Sequence, residues 1–155
     1  MRPSLDQTYL EMLKVFATRS TCARRQVAAI AVNAYGCVLS TGYNGTPHGH
    51  AHCTEEPCEG ALDPSGDTSR CHAVHAEANA LLQCRDVQDI HTIYCSCTPC
   101  FQCAKMIANT GTIRVVVNER YSDPRGLRIL HDSNIKVDVI DPAEPTDSFE
   151  SNIPY

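Results

Sequence analysis

His91-Thr92-Ile93-Tyr94-Cys95-Ser96-Cys97-Thr98-Pro99-Cys100-Phe101-Gln102-Cys103-Ala104-Lys105-Met106-Ile107-Ala108-Asn109 passes from one kind of pattern to another. His91 to Cys97 is dense in β-branched and apolar residues and predicts a strand. Thr98-Pro99 interrupts it, and Cys100 to Asn109 carries the spacing of a helix, with Pro99 as an initiation signal. The alternation continues downstream, where Thr112 to Asn118 predicts a strand, Arg125 to Ser133 a helix and Lys136 to Ile140 a last strand. Upstream, Leu5, Tyr9, Met12, Leu13 and Phe16 recur at helical spacing over residues 5–19. Val27 to Asn33 and Cys37 to Tyr43 predict a β-hairpin closed by Ala34-Tyr35-Gly36. His75 to Cys84 predicts a helix through Ala76, Ala78, Ala80, Leu81 and Leu82. Such alternation favours an α/β fold, a sheet covered by helices.

The 155 residues suit one domain, expected over 1–141, with 142–155 as a tail whose Pro142, Pro145 and Pro154 among acidic and serine residues give it little capacity to pack. Residues 44–70 lack an apolar period and need something to tie them down. The longest apolar run, Val27 to Val32, is far too short to cross a bilayer, and the polar N-terminus has no signal-peptide core, so a cytoplasmic protein with no membrane partner is expected. The net charge of -5, without a run of Lys or Arg, argues against a nucleic-acid partner. Ten cysteines in a reducing compartment point to metal rather than disulfides.

The chemistry concentrates in His75-Ala76-Glu77 and Pro99-Cys100-Phe101-Gln102-Cys103. One imidazole and two thiolates form a three-ligand set for zinc that leaves a fourth tetrahedral position open to water. Cys100 and Cys103, three apart, share a helix face near the positive end of the dipole, which favours the thiolates. Residues two apart on a helix diverge, so His75 has to begin its helix if Glu77 is to reach a zinc-activated water without ligating the metal. A purely structural zinc knuckle and a redox Cys100/Cys103 pair are the competing readings, and each leaves Glu77 without a role. Phe101 reads as core.

The spacing resembles the general signature of zinc deaminases. The resemblance extends along most of the chain, and the family it is similar to is the deoxycytidylate (dCMP) deaminases. It is carried by Ser20-Thr21-Cys22-Ala23-Arg24-Arg25, Ser40-Thr41-Gly42-Tyr43-Asn44-Gly45-Thr46-Pro47, His52-Cys53, His75-Ala76-Glu77-Ala78-Asn79-Ala80 and Thr98-Pro99-Cys100-Phe101-Gln102-Cys103-Ala104-Lys105. It implies a three-layer α/β/α fold with a five-stranded mixed sheet, and hydrolysis of dCMP to dUMP and ammonia, which supplies dUMP for thymidylate synthesis. Glu77 would protonate N3 and assist the departing ammonia. Backbone groups at Ala76 and Thr98 would orient the base. Asn44 would contact the deoxyribose, although an Asn-Gly pair also makes turns. Arg24, ahead of Arg25, would meet the phosphate. Tyr121 would flank base or phosphate, or pack its loop.

Cys22, Cys53, Cys58 and Cys71 look like ligands of a second, structural zinc, with a histidine as substitute for Cys58; free thiols are the alternative. Cys37, Cys84, Cys95 and Cys97 read as small buried apolar residues. The resemblance also implies a homo-oligomer, often a hexamer, with dCTP and dTTP as effectors. The alternative function is deamination of another cytosine or adenine substrate, such as dCTP or a tRNA adenosine.

Overall fold

The computed structural model describes residues 2–140; the expected tail, 142–155, lies outside the described residues. Ten elements follow in order: α1 (Leu5–Ala17), β1 (Ala28–Val32), β2 (Val38–Tyr43), α2 (Glu59–Leu62), α3 (Ala76–Gln83), β3 (Thr92–Cys97), α4 (Phe101–Ala108), β4 (Arg114–Glu119), α5 (Arg125–Asp132) and β5 (Lys136–Val139).

The strands form one sheet in the order β2-β1-β3-β4-β5. β1 runs antiparallel to β2 and β3, while β3, β4 and β5 are parallel. The sheet is therefore mixed, as expected. The predicted hairpin is present: Gly36 takes φ +75°, which glycine adopts without penalty, and its N–H donates to the Asn33 carbonyl oxygen at 3.0 Å.

Ala28, Ile30 and Val32 point to α1, where they pack with Tyr9, Leu10, Leu13 and Ala17. Ala29 and Ala31 point to the other face and pack with Ala76 and Ala80 of α3 and Ala104 and Ile107 of α4, beside Leu130 of α5. Burial on both faces explains why β1 reads as an unbroken apolar run rather than an alternating one. One helix on one face and three on the other make the expected three layers.

Local chemistry fixes the ends. Ser4 and Gln7 form a reciprocal capping box at the start of α1, with bonds of 3.1 and 2.9 Å. Arg114 of β4 then clamps α1 to the sheet, bonding Asp6 through both terminal nitrogens at 2.9 Å and Asp138 of β5 through Nε at 2.7 Å. Among the described residues, no helix is long and apolar enough to cross a membrane.

Two expectations need correction. Residues 59–62 form a short helix inside the stretch read as irregular. Cys37 is exposed and Cys84 only partly buried at the end of α3, whereas Cys95 and Cys97 are buried as expected.

Candidate active site

His75 and Cys100 occupy equivalent places. Each is the N-cap of its helix, in extended conformation, and neither side chain caps the helix. Each side chain is thus free to turn towards the other. Because α3 and α4 lie side by side on one face of the sheet, His75 Nδ1 comes 3.4 Å from Cys100 Sγ and 3.5 Å from Cys103 Sγ. Cys103, in the first turn of α4, is buried beneath them. The ligand atoms of these three residues all lie within 4.8 Å of one another.

Zinc fits this set. A tetrahedral zinc with a Zn–S bond of about 2.3 Å and a Zn–N bond of about 2.0 Å holds sulfur and nitrogen about 3.5 Å apart, close to the two distances observed. Hydrogen bonding from the Cys103 thiol, and then from His75, lowers Cys100 to about 4, while Cys103 is pushed up by the neighbouring Cys100 sulfur and by burial. The bond to Cys100 correspondingly raises His75. Thiolate character at a helix N-terminus beside an imidazole suits a metal ligand.

Glu77 stands in the first turn of α3, 4% exposed. Burial raises its carboxyl above the usual range. His75 does begin α3, as its N-cap, which is the condition posed by the His-x-Glu spacing, and His75 and Glu77 line the same cavity.

A cavity of about 330 Å³ runs from the buried Glu77 to the exposed Arg24 and Arg25. Ala76, Thr98, Asn44 and Tyr121 also line it, so every residue expected to contact substrate faces one space. They differ in how much of each is still available. Asn44 Oδ1 accepts from Ser20 Oγ at 2.7 Å and Val27 N–H at 2.8 Å, and Nδ2 donates to the Arg25 carbonyl at 2.8 Å. Its amide therefore chiefly locks segment 20–27 to the end of β2, leaving one N–H for a ligand. Thr98 Oγ1 accepts from Tyr121 N–H at 2.7 Å. Phe101 does not line the cavity; it lies between Lys105 and Arg125, whose charges sit 4.6 and 5.2 Å from its ring centroid.

Scaffold residues escaped the sequence reading. At Gly42, an added Cβ would lie 2.2 Å from the Ala76 carbonyl oxygen and 2.4 Å from Ala80 N, so β2 touches the first turn of α3 backbone to backbone. Asn79 Nδ2 reinforces that contact by donating to the Tyr43 carbonyl at 2.8 Å. Gly45 and Val74 exchange backbone bonds of 3.1 and 2.8 Å immediately before His75. On the opposite side, a Cβ at Gly126 would lie 2.0 Å from the Pro99 carbonyl oxygen, so α5 braces the turn that delivers Cys100. A glycine inside a strand pattern signals such close approach, and that sign was available at Gly42.

The residues proposed for a second metal lie near one another but less tightly. Cys53 Sγ and Cys58 Sγ are 3.7 Å apart. A hydrogen bond from the His72 backbone lowers Cys58 to about 7, with Cys53 and Cys71 also within reach of its sulfur, and Cys71 lies in the field of Cys22. Cys22 and Cys71 also line the cavity. Among the described residues, only His75, Cys100 and Cys103 gather three ligand atoms all within 4.8 Å.

Residues 3–119 match the model of the cytidine and deoxycytidylate deaminase zinc-binding region. The chain belongs to the cytidine and deoxycytidylate deaminase family. Within it, the chain is 42% identical over 123 residues to the deoxycytidylate deaminase of Mycobacterium phage D29, covering 74% of this chain and 94% of that one. It is 36% identical to the Saccharomyces cerevisiae deoxycytidylate deaminase over 88% of its length, but it spans only 45% of that longer relative. A solved dCMP deaminase from cyanophage S-TIM5, in complex with dCMP and dUMP, superposes with a TM-score of 0.75 at 31% identity, covering 90% of this chain and 99% of that one. The match to a zinc-binding region supports zinc as the metal that the three converging side chains could hold.

Proposed function

We propose that this chain hydrolyses dCMP to dUMP and ammonia, with His75, Cys100 and Cys103 holding zinc and Glu77 moving the protons. The observation that carries the reading is one cavity joining a buried carboxyl and a three-ligand set to a pair of arginines. The relatives named deoxycytidylate deaminase, and the cyanophage enzyme in complex with dCMP and dUMP, support the choice of substrate.

Zinc in such a set supplies a Lewis acid that brings the pKa of a water in its open position towards 7. Glu77 would take one proton from the attacking water and deliver it to N3 of the cytosine as the oxygen bonds to C4. It would then take the remaining proton of that oxygen and pass it to the amine as the C4–N bond breaks, leaving uracil and ammonia. The carboxyl's burial keeps it out of competition with bulk water. The backbone at Ala76 and Thr98 holds the base edge, Asn44 offers its remaining N–H to the sugar, and Arg24, with Arg25 and Tyr121 beside it, receives the phosphate. Deamination of a tRNA adenosine is the competing reading; the net charge of -5 and the scattered basic residues favour a small nucleotide instead.

A second zinc held by Cys22, Cys53, Cys58 and Cys71 belongs to the same reading. Two sulfurs on one tetrahedral zinc stand about 3.8 Å apart, and Cys53 and Cys58 are separated by 3.7 Å. Such a metal would order residues 44–70, which hold little apolar material of their own. The family resemblance further supports a single deaminase domain over 1–141, a cytoplasmic homo-oligomer, often a hexamer, with dCTP and dTTP as effectors, and a role in supplying dUMP for thymidylate synthesis. A panel of dCMP, dCTP, CMP, cytidine and a tRNA anticodon loop, followed by ammonia release, tests the substrate: dCMP should be preferred, and preference for any other member overturns the assignment.

A further inference from the structure

Neither arginine of the cavity is without a partner. Arg24 donates through Nη1 to the Gly60 carbonyl oxygen at 2.7 Å, a neutral acceptor. Arg25 is instead paired through Nη2 with the carboxylate of Glu119, and its guanidinium lies 5.8 Å from the Tyr121 ring centroid. Glu119 ends β4, and its position is built rather than incidental. Its carbonyl oxygen accepts from Thr98 N–H at 3.0 Å, and Thr98 Oγ1 holds Tyr121 N–H two residues on. The chain leaving β4 is thus pinned to the cavity wall on both sides of Arg120, and from that backbone the exposed Glu119 side chain reaches Arg25. The carboxylate has no part in the proton transfers assigned to Glu77.

We infer that Glu119 is a specificity-determining residue, a built-in counter-ion that occupies Arg25 in the free protein and that the anionic end of the ligand has to displace. The inference rests on the dCMP reading for the identity of that ligand. Carboxylate and phosphate compete for the same guanidinium fork, so one leaves as the other arrives. The displaced carboxylate stays tethered close by, and its repulsion grows with the charge of the ligand. An uncharged nucleoside feels neither effect, a monophosphate feels both, and a triphosphate feels the repulsion most. The 61% exposure of the Glu119 side chain keeps the effect modest and salt-dependent.

Glu119→Gln removes the charge and keeps the shape. Calorimetric affinities of the zinc-loaded protein for deoxyuridine, dUMP and dUTP read the result. Deoxyuridine should bind as it does to the wild type, while dUMP should bind tighter by up to about 5-fold at low salt, the upper range for an exposed ion pair. The gain for dUTP should equal or exceed that for dUMP, and both gains should shrink as salt is added. A change of the same size for all three ligands, or none for dUMP, overturns the inference. Turnover of dCMP by the wild type, measured alongside, tests the underlying reading separately: its absence removes the dCMP assignment, whereas normal turnover without charge-graded affinities removes only the role of Glu119.

Discussion

Gly42→Ala puts a methyl group where β2 meets the first turn of α3. The new carbon would stand 2.2 Å from the Ala76 carbonyl oxygen, about 1.2 Å short of the 3.4 Å at which ordinary contact begins, and it would also press on Ala80 N and Asn79 C. All three neighbours are backbone atoms, so no side chain can rotate away and the start of the helix has to move. Overpacking of this kind costs about 2 kcal/mol, which for a chain of this size lowers the melting temperature by about 5 °C. The functional loss should be larger than the loss of stability suggests. His75 caps the displaced turn and Glu77 lies within it, and a misplacement of about 1 Å in reacting groups costs about 100-fold. Thermal unfolding followed by circular dichroism, together with kcat/KM for ammonia release from dCMP, measures both. A variant within about 1 °C and two-fold of the wild type would refute the claim that this backbone contact sets the site, since overpacking that matters exceeds such margins.

Three further outcomes follow from other contacts. Asp6→Asn should lower stability by about 2 kcal/mol in chemical denaturation, between the values for exposed and buried ion pairs, because it leaves the half-buried Arg114 with Asp138 alone. Burial pushes the Asp6 carboxyl up, but hydrogen bonds from Arg114 and Tyr94 outweigh it and hold the group below its ordinary 3.8. That stabilisation is present in full above the ordinary value and lost as pH falls through the lowered one, so the wild type's advantage over Asp6→Asn should vanish in strong acid. Asn44→Ala strands the Val27 N–H and removes the side-chain bonds to the Ser20 hydroxyl and the Arg25 carbonyl, which keep the residue-44 backbone carbonyl and each other as partners, and should cost about 1–3 kcal/mol as well as activity. Elemental analysis should find two zinc ions per chain and one in Cys53→Ser; one per chain in the wild type would remove the second site.

The sheet and its helices were legible because periodicity reports which faces are buried, and here almost every element is buried in the ordinary way for its type. α2 was not, since its four residues form no apolar face; a Cβ at Gly60 would lie 2.7 Å from Cys71 N, a contact distant in sequence. His75, Cys100 and Cys103 were legible because ligand chemistry restricts residue type and spacing. What spacing left open was the role of the helix ends. Cys100 was expected inside its helix and instead caps it, which frees its sulfur to face His75. Asn44 read as a ligand by resemblance and as a turn by composition. Its three hydrogen bonds make it a brace for segment 20–27, information held in partners 17 to 24 residues away. Glu119 gave no signal at all, because its meaning depends on Arg25, 94 residues distant.

The division of labour between metal ligands and Glu77 is the centre of the account, and Glu77→Ala tests it with two readings on one sample. The variant should hold as much zinc as the wild type by elemental analysis, because the ligand atoms of His75, Cys100 and Cys103 are untouched, while kcat for dCMP falls by at least about 100-fold. Full turnover with full zinc content would contradict the account.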